Sequence, residues 1–153
     1  MSEYVTQEVQ KIMDDSNLEF PKNMAMASAW IIGNFKGISL KVLNMSKLSS
    51  LADYYVIGTA TNIVQANAMI SSISREFKKL GYNVLSKEGT TDKDWVLIDL
   101  GDVLVHIFQD HSRELYDVDN LWIEADKIDI PNEYYHTDPE EHLADDSSGD
   151  GYF

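Results

Sequence analysis

The stretch from Trp95 to Phe108, WVLIDLGDVLVHIF, sets the strongest constraint on what this chain can fold into. Its residues read as two strands joined by a two-residue turn, with side chains alternating between two faces on either side of Gly101-Asp102. Glycine at the first central position suits a type II′ turn, whose twist matches that of the flanking strands. The sheet that contains this hairpin must therefore carry an antiparallel pair. Its few polar groups, Asp99, Asp102 and His106, must be hydrogen-bonded, solvated or functional.

A helix precedes the hairpin. Ile63, Ala66, Ile70, Ile73, Phe77 and Leu80 form one apolar stripe at helical spacing, and Gly81 ends it. Before it, Leu40–Met45 and Asp53–Ala60 read as strands, and after it Tyr82–Lys87 reads as a third. A strand–helix–strand unit across Asp53–Lys87 calls for a right-handed parallel crossover. A further helix over Met24–Phe35, with Ala27, Trp30, Ile31, Asn34 and Phe35 on one face, stops before Gly37. A short helix after Asp110 or Ser112 turns Leu115, Val118 and Leu121/Trp122 inward. These elements specify an α/β domain with a mixed five-stranded sheet and helices packed on it.

That domain covers residues 24–125. Residues 1–23 read as an N-terminal extension with a short amphipathic helix built on Val5, Val9, Ile12 and Met13, broken at Pro21. Residues 126–153 read as an acidic C-terminal tail, largely disordered, with order lost beyond Thr137.

With 153 residues there is room for one domain with a real core. No apolar run is long enough to span a membrane, and there is no basic, apolar leader at the N-terminus. The absence of cysteine fits a reducing cytoplasm and excludes disulfide and thiol chemistry. A net charge of −14 disfavours direct contact with nucleic acid and favours a basic protein partner.

The candidate chemistry is thin. Asp99 and Asp102 form D-x-x-D across a turn, whereas a strand-borne metal site wants D-x-D, with both carboxylates on one face. Asp102 therefore reads as a turn residue and Asp99 as a hydrogen-bonded or surface carboxylate. His106 shares a face with Leu104 and Phe108, and His111, His136 and His142 stand at no ligand spacing from it. Gly58–Asn62 occupies the strand-to-helix position of a phosphate loop but lacks its glycine pattern. Trp95 suits core and interface equally, Trp122 reads as core, and Arg113 as a surface partner of Asp110 or Asp117. The residues by themselves give an α/β domain without a convincing active site.

Several blocks in order carry a resemblance. Asp53-Tyr54-Tyr55-Val56-Ile57-Gly58-Thr59, Gln65, Glu88-Gly89, and the Trp95–Phe108 block followed by Arg113, Tyr116, Leu121 and Trp122 resemble the Iojap family, the ribosomal silencing factors. The resemblance extends over Ala25 to Ala125. Asn44, Ala60 and Asn62 depart from it, standing where an acidic residue, Gly and Ser are common. It implies a mixed α/β fold distantly similar to nucleotidyltransferases, with no catalysis, cofactor or metal. It further implies binding to the large ribosomal subunit through its ribosomal protein L-fourteen and steric block of small-subunit joining. The consequence is repressed translation or guarded subunit maturation.

The expected contact surface is the hairpin, with Trp95 as anchor and Asp99, Leu100, Asp102, His106 and Phe108 around it. Alternation must send some of these to the opposite side. The competing reading is a metal-dependent nucleotidyltransferase-like enzyme using Asp99 and Asp102. A second copy of the chain, pairing through an exposed sheet edge, is a further partner that such a fold offers.

Overall fold

The computed structural model describes residues 3–89 and 94–135. Helices α1 (Glu3–Met13) and α2 (Lys22–Asn34) lead into strands β1 (Ile38–Asn44) and β2 (Tyr54–Ala60). Helix α3 (Ile63–Lys79) follows, then β3 (Ser86–Glu88), β4 (Trp95–Asp99) and β5 (Val103–Gln109). Two short helices, α4 (Asp110–Leu115) and α5 (Val118–Leu121), precede β6 (Asp126–Ile128) and a 3-10 turn over Asn132–Tyr134.

The sheet has six strands in the order β3-β4-β5-β2-β1-β6. Among the described residues only β2 and β5 pair in parallel; every other neighbouring pair is antiparallel. The mixed α/β class agrees with the sequence, and the extra strand is β6. β3 runs parallel to β2 but is not its neighbour, because the β4–β5 hairpin lies between them. The hairpin closes as expected: Leu100 N–H donates to the Val103 carbonyl at 2.9 Å, and Gly101 takes a φ of +93°.

Two apolar clusters flank the sheet. The larger packs Val96, Ile98, Val103, Val105 and Ile107 of the hairpin against α1, α2 and α3. Helix α2 is buried all round, from Asn23 to Gly33. The sequence suggests a one-faced helix there; α1 and α3 cover what would otherwise be its outer sides. Val5 and Val9 of α1 join this core, and Asn23 Nδ2 donates to the Met13 carbonyl at the end of α1. Residues 1–23 thus include a helix that belongs to the packed domain.

Glycines in α2 and β2 permit this closeness. A Cβ on Gly58 would lie 2.8 Å from Ile32 Cγ2, and one on Gly33 only 1.9 Å from the Tyr134 carbonyl oxygen. The second contact ties the segment after residue 126 to α2. Asp126–Ile128 extends the sheet by pairing with β1, and Tyr134 is buried against α2. Burial first, with Glu133 and Asp15 adding to it, pushes the Tyr134 phenol up to about 12. The expected loss of order beyond Thr137 lies outside the described residues.

Candidate docking face

The second apolar cluster lies on the other side of the sheet. It gathers Leu43, Met45, Tyr55, Ile57, Phe108, Val118 and Ala125, with Trp95, Leu104 and Trp122 packed against it. Here α4 and α5 make only a partial cover. Leu115, Tyr116, Leu121 and Ile123 remain exposed along it.

Strand alternation puts Trp95, Leu97 and Asp99 of β4 beside Leu104, His106 and Phe108 of β5 on this face. Trp95 is half-exposed. Its ring rests against Phe108 at 4.7 Å between centroids, with Tyr116, just after α4, at 5.5 Å on its flank. Its indole N–H donates to Nδ1 of His106 at 3.1 Å. His106 is 3% exposed, and this burial lowers its pKa to about 4, so the ring is neutral near pH 7. Tyr55 and Trp122 complete the group, their ring centroids 4.8 and 5.1 Å from the imidazole.

The start of β4 is pinned by α4. Ser112 Oγ donates to the Asp94 carbonyl at 2.7 Å, and Gln109 N–H donates to the same oxygen at 3.0 Å. Arg113, one residue on, fixes α4 and α5 to the sheet. Its Nη1 donates to the Ser39 carbonyl at 2.6 Å and to Thr59 Oγ1 at 2.8 Å. Its Nη2 reaches Asp119 Oδ1 at 3.0 Å, where Lys41 also binds. Burial opposes ionisation of Asp119, but Arg113 and then Lys41 outweigh it and hold the carboxyl below its ordinary value. The sequence suggests a surface pair with Asp110 or Asp117. Instead Arg113 is 8% exposed and pairs with Asp119, because the turn at Asp117 (φ +52°) brings α5 back over the sheet.

Of the six residues expected to form the contact, three assemble. Trp95 stands at the surface with Phe108, fully buried, beneath it, and His106 held beside it. Asp99 is on the same face but at the far end of β4, where its carboxylate accepts the Gly101 N–H at 2.9 Å. Asp102 is exposed in the turn. Leu100 points to the opposite side of the sheet, 6% exposed in the helix-covered core. Sequence reasoning missed Tyr55 and Tyr116. Both stand within the blocks that carry the family resemblance, which was the available signal.

Two other readings meet local geometry. At the phosphate-loop position, Asn62 Oδ1 already accepts the Gln65 N–H at 2.8 Å. Gln65 Oε1 in turn accepts the Thr61 N–H at 2.6 Å, so the start of α3 is capped from within. Gly58 serves the approach of α2. Among the described residues no group of three or more His, Asp or Glu could hold a metal ion. Nor is any helix among them long and apolar enough to cross a membrane.

The comparisons converge. The family model described as ribosomal silencing factor during starvation matches residues 18–150. The ribosomal silencing factor RsfS of Haemophilus influenzae is 34% identical over 91 residues, covering 60% of this chain and 89% of that protein. The chloroplastic Iojap protein of Zea mays is 31% identical over 122 residues, covering 77% of this chain and 50% of that protein. A crystal structure of a Chromobacterium violaceum protein matches with a TM-score of 0.61 at 27% identity, covering 82% of this chain and 91% of that one. Sequence match and shared fold together place the chain in the RsfS family of ribosomal silencing factors, the Iojap family.

Proposed function

We propose that this silencing factor acts without catalysis, by docking the Trp95 face on ribosomal protein L-fourteen of the large subunit. Bound there, it excludes the small subunit by bulk, which represses translation or guards an immature subunit. The observation that carries this reading is the setting of Trp95. A half-exposed indole is held rigid on Phe108 and His106 and rimmed by exposed Tyr116. A pre-ordered aromatic of this kind loses little entropy on binding and suits the centre of an interface.

Charge supports the same partner. The chain carries 26 acidic against 12 basic residues, and complementary charge speeds encounter with a basic ribosomal protein. Contact with RNA phosphates is a minor part of such a surface. Asp99 and Asp102 keep turn and rim roles. The docked state is expected in a cytoplasmic ribosome pool. Co-sedimentation of the purified protein with isolated large and small subunits tests the reading: it should travel with the large subunit alone. Travel with neither, or with both equally, would contradict it.

A further inference from the structure

The imidazole of His106 uses only half of its hydrogen-bonding capacity. A neutral imidazole has one acceptor nitrogen and one N–H. Because Nδ1 accepts the Trp95 indole proton, the ring's own proton resides on Nε2. That N–H is buried and has no partner among the described residues. An unmatched buried donor destabilises a fold, and nearly all such groups in native proteins are matched.

The surroundings indicate how the donor becomes reachable. The rings nearest the imidazole are those of Tyr55 and Trp122. Tyr55 belongs to β2, a central strand of the sheet, and is 5% exposed. Trp122 is different: it is half-exposed and ends α5, a helix of a single turn. Asp117, before that turn, holds a left-handed conformation that side-chain-bearing residues seldom adopt. Exposed Leu121 and Ile123 flank Trp122. Of the two rings packed on the imidazole, Trp122 is thus the less embedded.

We propose that His106 Nε2–H is a held donor for a main-chain carbonyl of the protein that docks against Trp95, reached when Trp122 shifts off the imidazole. This rests on the docking reading above. A carbonyl is the natural acceptor, since a basic partner presents few carboxylates and every residue of it presents a carbonyl. The site is continuous with the anchor, because the same imidazole holds the Trp95 indole. Sites built to hydrogen-bond a ligand discriminate against partners that leave the buried group unmatched.

Two substitutions separate the two nitrogens. His106→Asn places its amide oxygen near the Nδ1 position, where it still accepts from Trp95, but nothing at the Nε2 position. His106→Gln carries its amide N–H out to the Nε2 position. Affinity for purified ribosomal protein L-fourteen should fall about tenfold for His106→Asn, the worth of a neutral hydrogen bond, and recover in part in His106→Gln, which regains the Nε2 donor but leaves the Trp95 indole without its acceptor. In the wild-type protein, the imidazole 15N–1H resonance of Nε2 should move downfield on complex formation. Wild-type binding with an unmoved resonance, or with equal losses in the two folded variants, overturns the held donor and leaves the docking reading intact. Absence of wild-type binding overturns both.

Discussion

The indole of Trp95 and the imidazole of His106 form a diagonal cross-strand pair, joined by an N–H···Nδ1 bond of 3.1 Å. In the ladder, Trp95 faces Phe108, while His106 faces Leu97, two residues further along β4. Diagonal neighbours lie within reach of large side chains. The bond fixes the rotation of the indole and the tautomer of the imidazole together, so the two residues act as one unit. Trp95→Phe keeps the ring over Phe108 but strands Nδ1 without a donor. It is expected to cost about 1–2 kcal/mol of stability in urea unfolding. Loss of less than a few tenths would show that the bond contributes nothing.

The same burial makes the fold acid-sensitive. The pKa of His106 falls from 6.5 to about 4 on folding. Between those values the unfolded chain holds a proton that the folded one lacks, so stability rises with pH through that window and is complete above it. The integrated effect is on the order of 3 kcal/mol. Unfolding measured from pH 4 to 7 should show a steeper acid loss in the wild type than in His106→Asn. Equal slopes would place the acid sensitivity elsewhere.

Arg113 should prove structural for the docking face rather than a contact. Arg113→Ala removes the bonds to Ser39, Thr59 and Asp119 at once. Asp119 is 40% exposed, so solvent screens the charge left behind, and the stability cost is expected to be modest, about 1–2 kcal/mol. The larger effect should be loosening of α5, seen as a red shift in Trp122 emission in a Trp30→Phe, Trp95→Phe background. Arg113→Lys should not restore the state, because a single ammonium nitrogen cannot span acceptors that the guanidinium reaches with separate nitrogens. An unshifted spectrum would show that α5 is held without Arg113.

Gly33→Ala tests whether residues 126–135 belong to the domain. The new Cβ would overlap the Tyr134 carbonyl oxygen at 1.9 Å, which α2 or the 3-10 turn must relieve by moving. A cost of about 1–3 kcal/mol is expected from such overpacking. Tyr134 should then lose its burial, and one fewer tyrosine should titrate near 12 in an ultraviolet alkaline titration. An unchanged titration curve would mean that the turn does not depend on this contact.

The parts of the molecule that were legible in the sequence are those with a strong local period. The stripe from Ile63 to Phe77 fixes a helix and its buried side, and the alternation through Trp95–Phe108 fixes the two strands of the hairpin but not which of their faces is buried. What escaped was set by contacts distant in the chain. Asp-Lys-Ile of β6 has no alternation to read, and its partner is β1. The all-round burial of α2 depends on α1 and on Tyr134. The face of Trp95 was undecidable because Val96 and Ile98 are as apolar as Trp95 and Leu97. Only the helices on one side decide which pair goes deep. Arg113 looked like a surface charge until the Asp117 turn brought Asp119 to it.

The most direct test is a sucrose gradient of ribosomal subunits mixed under joining conditions with saturating protein. Wild-type protein should deplete joined ribosomes and appear in the large-subunit peak. Trp95→Ala, shown folded by circular dichroism, should leave joined ribosomes near the level without protein, its binding weakened by about 2 kcal/mol or more. Joined ribosomes that persist with wild-type protein, or that fall equally with Trp95→Ala, would contradict docking through the Trp95 face.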